Sequence, residues 1–282
     1  MTDSCNLRCP FCYVKQRPAN LDADKAIEFI KAHQPREVIF HGGEPLLRAA
    51  DILQIMDAAP EVKEFSITSN LMLPLTDERL EVIKRCGVAT SYSIDRFNYS
   101  SEQMSQFKSA LNKAKEYCKI TVLVTLSKGQ LREPPFSLCR TLKWLGADYV
   151  TFERLRDDSI DSAEEYERLC RKTDDYLYEI FSRELIPQDK NVLLMQMKNA
   201  LATNTPVFYT ACSENVTTLL TDGISTTSCP NGNSIKEKRL RQCLTCDLFQ
   251  FCKGDCPSFG RLSCSFPKKT FNYVKEAITN GL

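Results

Sequence analysis

The chain has 282 residues, 43% of them hydrophobic, enough to bury a sizeable core in one large domain with a smaller appendage. Lysine plus arginine (37) nearly equals aspartate plus glutamate (36), so a formal net charge of +1 gives no global field towards nucleic acid or an anionic membrane. No apolar stretch reaches the length of a membrane span and no signal-peptide core opens the chain, which predicts a cytoplasmic protein. In that compartment thiols stay reduced, so 14 cysteines point to metal rather than to disulfides.

The first element is a cysteine loop at residues 5–13. Helical spacing follows over 22–32, then a short buried strand at 37–40 that runs into His41-Gly42-Gly43-Glu44-Pro45. The unit repeats: helix 47–59 and strand 64–69, helix 77–86 and strand 89–94, helix 101–118 and strand 120–126, helix 136–145 and strand 148–152. Strands separated by crossover helices predict a parallel sheet with helices outside. The fold class is therefore α/β, a partial (β/α)6 TIM-type barrel core with a small C-terminal cysteine-rich domain. Loops at the strand C-termini would gather the cysteine loop, the Gly-Gly-Glu-Pro turn, Thr68-Ser69-Asn70 and Ser93-Ile94-Asp95 at one rim. A charged helical stretch over 162–186 suggests a connecting helix. Beyond Pro206 come short strands, a hairpin turning at Asp222-Gly223, and loops dense in cysteine, where metal would supply what a core cannot. The predicted domains are a barrel core over 1–160, a helical connection over 161–205 and a cysteine-rich domain over 206–282.

Cys5, Cys9 and Cys12 give three thiolates within eight residues, whereas a cubane cluster has four irons, so one iron would be left open. The CxxxCxxC spacing, with aromatic Phe11 just before the third cysteine, resembles the radical S-adenosylmethionine (radical SAM) family. A zinc site completed by a distant ligand is the competing reading, poorly supplied here because His33 and His41 are the only histidines. The resemblance implies a catalytic [4Fe-4S] cluster on Cys5, Cys9 and Cys12, with S-adenosylmethionine chelating the open iron and being cleaved to a 5′-deoxyadenosyl radical. It also implies that Gly42, Gly43 and Glu44 receive the methionine amino group, and that Ser69, Asn70, Ser93 and Asp95 contact the ribose and the methionine carboxylate. For these residues the alternative is turn punctuation and helix capping, and His41 beside them is read as a packing residue rather than a proton donor. Family members have a strand before the cysteine loop, and that strand is expected to be missing here.

Seven cysteines lie between Cys212 and Cys264. The run Cys243-xx-Cys246-xxxxx-Cys252-xxx-Cys256, with Cys212 and Cys229 upstream and Cys264 downstream, resembles the SPASM extension of radical enzymes that modify peptides and proteins. The resemblance implies two auxiliary iron-sulfur clusters, one on Cys243, Cys246, Cys252 and Cys264. The other would use Cys212, Cys229 and Cys256, its fourth position taken by substrate thiolate, Asp222, Glu214 or water. A structural zinc ribbon is the alternative. The basic run over 236–241 reads as a solvated loop face, and Phe249, Phe251 and Phe259 as packing. Cys86, Cys118, Cys139 and Cys170 fall in helical patterns as small hydrophobes.

The expected function is oxidative modification of a peptide or protein side chain, by thioether formation, carbon-carbon crosslinking or side-chain oxidation. An electron would come from a reducing partner such as flavodoxin or ferredoxin. An aminoglycoside-like small-molecule dehydrogenase or epimerase is the second reading, and a non-catalytic iron-sulfur scaffold the third.

Overall fold

The structure is a computed structural model that describes residues 1–10, 12, 14, 16–97, 100–154, 162–207, 217–226, 245–252 and 266–280. It forms two compact units. The first comprises Met1–Thr125, Trp144–Tyr149 and Thr218–Thr226, the second Leu126–Lys143, Val150–Thr217 and Thr227–Leu282.

The first unit is built on strands β1 (Glu37–Phe40), β2 (Glu64–Ser69), β3 (Gly87–Tyr92) and β4 (Ile120–Leu126), each parallel to the next. A fifth strand, β5 (Tyr149–Arg154), follows β4 in the sheet order. The first unit's helices are α1 (Ala23–His33), which leads into β1, and the crossovers α2 (Ala49–Ala58), α3 (Asp77–Arg85) and α4 (Ser101–Lys115); α5 (Pro135–Leu145), which precedes β5 in the chain, and β5 itself fall mostly within the residues of the second unit. The predicted alternation of helix and parallel strand is what forms. Two strands shift from their predicted bounds. Gly87 joins β3 because it registers with Ser66, and Ile94 leaves it for a short 3-10 turn. β5 likewise starts one residue late and runs on to Arg154.

Register assigns the two faces of the sheet. Phe40, Ile67, Val88 and Ile120 stand side by side, as do Ser69, Thr90 and Val122, and all are buried. The opposite face carries Ser66, Thr68, Ala89, Ser91, Thr121 and Leu123, all half-buried. Apart from Leu123 and the exposed Ile39, which registers with Ser66, that face is small and rich in hydroxyls, unlike the continuous Val/Ile pattern expected of a sheet covered on both sides. Helix starts follow ordinary capping chemistry: Asp22 accepts from Lys25 N at 3.0 Å, and Ser100 caps α4 through Gln103 N.

In the second unit the segment predicted to connect the domains is a pair of helices, α6 (Ala163–Ser182) and α7 (Val192–Thr203). Its core continues through α8 (Phe249–Cys252) and α9 (Lys268–Thr279). Phe271 is fully buried, its ring 4.9 Å from Phe251 and 5.4 Å from Phe266. Asp174 on α6 caps α9, accepting from Lys269 N at 2.7 Å and from Thr270 N at 2.9 Å. The predicted hairpin is present as β6 (Thr218–Leu219) and β7 (Ser225–Thr226), antiparallel around Asp222-Gly223, and it belongs to the first unit. Among the described residues no helix is long and apolar enough to cross a membrane.

Candidate functional site

The cysteine loop is closed at its base by backbone pairing. Asp3 N donates to Ala19 O at 2.9 Å and Leu21 N to Met1 O at 2.8 Å, while the Thr2 hydroxyl reaches Asn20 Oδ1 at 2.6 Å. Asp3 accepts from Arg17 at 2.6 Å and from the hairpin's Thr221 hydroxyl at 3.0 Å. The loop's two ends are thereby held together, leaving the cysteines on its span.

The segment leading to Cys5 runs directly against the turn after β1. Gly43 N donates to Thr2 O at 2.7 Å and Glu44 N to Ser4 O at 2.9 Å. A Cβ on Gly42 would stand 2.3 Å from Thr2 O, and one on Gly43 2.1 Å from Ser4 O. The two glycines are thus required by a close backbone approach, as the motif suggested, but the approaching backbone is that of residues 2–4. Gly42 also adopts a φ of 149°, which side chains rarely tolerate.

Glu44 follows, 1% exposed, and its carboxylate is engaged by the protein itself. Oε1 accepts from Leu46 N at 3.0 Å and from the Ser69 hydroxyl at 2.9 Å, and Oε2 accepts from Asn70 N at 2.6 Å. A buried carboxylate survives only with such donors. It fastens the exit of β1 to the exit of β2. From there Asn70 reaches the cysteine loop: Nδ2 donates to Asn6 Oδ1 at 2.8 Å and to Cys5 Sγ at 3.6 Å. Three of the four segments expected at one rim are therefore joined by hydrogen bonds. The fourth begins where β3 ends, with Ser93 fully buried and Asp95 half-buried in the 3-10 turn.

Cys5 Sγ also accepts from Leu7 N at 3.4 Å. Burial raises its thiol above the ordinary range, against the pull of that N–H. Cys9 is half-buried and Cys12 exposed, with Cys12 N donating to Cys9 O at 3.1 Å. Among the described residues no three His, Cys, Asp or Glu side chains surround one point as a single ion would need. The donor set suits an iron-sulfur cluster, in which each thiolate binds a different corner and soft sulfur is the only ligand type.

Sequence reasoning did not single out Asn6 or Leu7, whose contacts to Asn70 and Cys5 depend on the loop's folded path and leave no spacing signal. His41, expected to pack, is exposed. Cys86 and Cys139 are buried and Cys118 and Cys170 half-buried, in keeping with their reading as small hydrophobes. In the C-terminal array Cys246 is half-buried, and Cys252 is buried in α8. Phe11, Cys212, Cys229, Cys243, Cys256 and Cys264 lie outside the described residues.

Comparison with known proteins bears on this site. Residues 1–138 match the radical SAM superfamily, a span that includes the cysteine loop and the exits of β1, β2 and β3. A GTP 3′,8-cyclase of Listeria monocytogenes serovar 1/2a is 30% identical over 152 residues, 46% of this chain and 45% of that protein. A GTP 3′,8-cyclase of Aquifex aeolicus is 26% identical over 202 residues, 61% of this chain and 62% of that protein. The chain thus spans less than two thirds of the length of these curated relatives. A solved structure of TYW1 with a lysine-pyruvate adduct bound aligns at a TM-score of 0.42 and 16% identity, over 61% of this chain and 70% of that one. Residues 1–138, a little under half of the chain, are thus similar to radical SAM domains, a superfamily that works with S-adenosylmethionine and a [4Fe-4S] cluster.

Proposed function

We propose that this chain holds a [4Fe-4S] cluster on Cys5, Cys9 and Cys12, binds S-adenosylmethionine beside it, and oxidises a side chain of a peptide or protein. The observation that carries the radical chemistry is the hydrogen-bonded path from Cys5 through Asn70 to Glu44, which holds a three-thiol loop against the exits of β1 and β2. When bound, the cluster and S-adenosylmethionine supply one-electron cleavage of a carbon-sulfur bond, and with it a radical that abstracts hydrogen. The chain's own part is to hold and orient. Glu44 fixes the β2 exit, and the half-buried hydroxyl face of Ser66, Thr68, Ser91 and Thr121 offers a polar wall for substrate.

The peptide reading rests on Cys212, Cys229, Cys243, Cys246, Cys252, Cys256 and Cys264, a number that exceeds one tetrahedral site and suits auxiliary clusters able to accept the electron left on an oxidised substrate. A flavodoxin or ferredoxin would supply the first electron. A second reading, a nucleotide-like small molecule as substrate, is favoured by the relatives that are GTP 3′,8-cyclases.

The test is anaerobic reconstitution of the wild type and of a Cys5, Cys9 and Cys12 triple alanine variant, with iron, sulfide and 5′-deoxyadenosine measured in the presence of peptide pools or of GTP. About twelve irons per chain, falling to about eight with loss of cleavage in the variant, is the expected result. 5′-Deoxyadenosine formation that rises with peptides supports the first substrate reading, and a rise with GTP the second. Zinc without sulfide overturns both.

A further inference from the structure

We propose that Asn70 is a positioning residue that sets the reduction potential of the N-terminal cluster by donating a hydrogen bond to the Cys5 sulfur. The inference rests on the reading that Cys5 ligates a cluster. It assigns Asn70 to the metal ligand instead of to a bound substrate or cofactor.

The side chain is fixed at every polar atom. Its amide has two hydrogens, and they meet two acceptors: Cys5 Sγ at 3.6 Å and Asn6 Oδ1 at 2.8 Å. Its oxygen accepts from Met72 N at 2.8 Å. That contact settles which end of the amide faces the sulfur, because a flipped amide would set its NH2 against the Met72 N–H, donor against donor. The Asn70 backbone is pinned as well, its N–H given to Glu44 Oε2 at 2.6 Å. Asn70 is 9% exposed, so water competes little for these bonds. Leu7 N supplies a second N–H to the same sulfur at 3.4 Å.

Hydrogen bonds to a ligand sulfur stabilise the more negative, reduced state of a cluster, and so raise its potential. The Leu7 donor is backbone and survives substitution. The Asn70 donor is a side chain, held by a relay that begins at the Gly-Gly-Glu-Pro turn, so the turn reaches the cluster through Glu44 and Asn70.

The measurement is an anaerobic redox titration of the whole 282-residue chain, followed by electron paramagnetic resonance, without S-adenosylmethionine. The N-terminal cluster's signal is the one absent from the triple alanine variant. Asn70→Ala is expected to lower the midpoint by about one tenfold change in the reduction equilibrium, about 59 mV for one electron. Asn70→Asp keeps the acceptor for Met72 N but sets a negative charge beside the sulfur, and is expected to move the midpoint further in the same direction. A midpoint unchanged in the variants that assemble the cluster overturns the proposal. So does failure of both to retain iron that the wild type retains, because Asn70 would then serve assembly alone. A wild type that binds no oxygen-sensitive cluster at Cys5, Cys9 and Cys12 sinks the underlying reading instead.

Discussion

Gly43→Ala tests the close approach on which the site is built. The added methyl would lie 2.1 Å from Ser4 O and 2.6 Å from Ser4 C, both backbone atoms with no rotamer to give way. Either the turn or residues 2–4 must move, and the bonds Gly43 N to Thr2 O and Glu44 N to Ser4 O stretch with them. Two backbone hydrogen bonds contribute about 1 kcal/mol each, and forced overpacking costs about 1–3 kcal/mol more. Against this, alanine loses less conformational entropy on folding, an offset of about 0.4–1 kcal/mol. The net expectation is a loss of about 2–4 kcal/mol in urea denaturation of the reduced, cluster-free protein, with fewer irons retained per chain after reconstitution. Gly87→Ala is the comparison, since its Cβ would meet only the Ser66 hydroxyl at 3.4 Å among side chains, and it should stay within about 0.5 kcal/mol of wild type. If Gly43→Ala matched the wild type in both stability and iron content, residues 2–4 would not run against the turn.

Thr90 on β3 is fully buried, and its hydroxyl has no hydrogen-bond partner among the described residues, so Thr90→Val should gain about 1 kcal/mol in the same denaturation assay. Asp174→Ala removes the carboxylate that accepts from Lys269 N, Thr270 N and the Thr270 hydroxyl at the start of α9. It should cost about 2–3 kcal/mol, with Asp174→Asn recovering most of it. Burial pushes the Cys86 and Cys139 thiols up to about 12, so the folded chain keeps protons that the unfolded chain releases above about pH 9. Stability should therefore hold below that pH and fall as pH rises, by about 3 kcal/mol for the two together at pH 10. Urea midpoints under reductant at pH 7.5 and 10 should show this loss, and it should shrink in Cys86→Ala and Cys139→Ala.

The sequence carried the order of elements because each helix and strand has its own period, and parallel pairing follows from helical crossovers of ordinary length. The place of Ser69 and Asn70 at a strand exit was legible because a parallel sheet brings strand exits to one side. Their partners were not. Glu44 was expected to serve a bound amino group, yet its carboxylate is taken up by Leu46 N, Ser69 and Asn70, and that depends on a β1–β2 register which no local pattern encodes. Asn6 drew no reading of its own from the sequence, although it shares the Asn70 amide with Cys5. Strand ends shifted by one or two residues where a neighbour's register, as between Ser66 and Gly87, overrode the local run of apolar residues.

The first compact unit is discontinuous: the chain leaves it after Thr125, re-enters over Trp144–Tyr149, and returns for Thr218–Thr226. That last visit is secured by Thr221 on Asp3 and by Gly223 beside Lys25, contacts between residues about two hundred positions apart. A single cut or a single genetic crossover cannot therefore exchange this unit whole. Any recombination between residues 150 and 217 separates the hairpin from the loop base it braces, so the two halves of the chain are expected to be inherited, and to be engineered, as one piece.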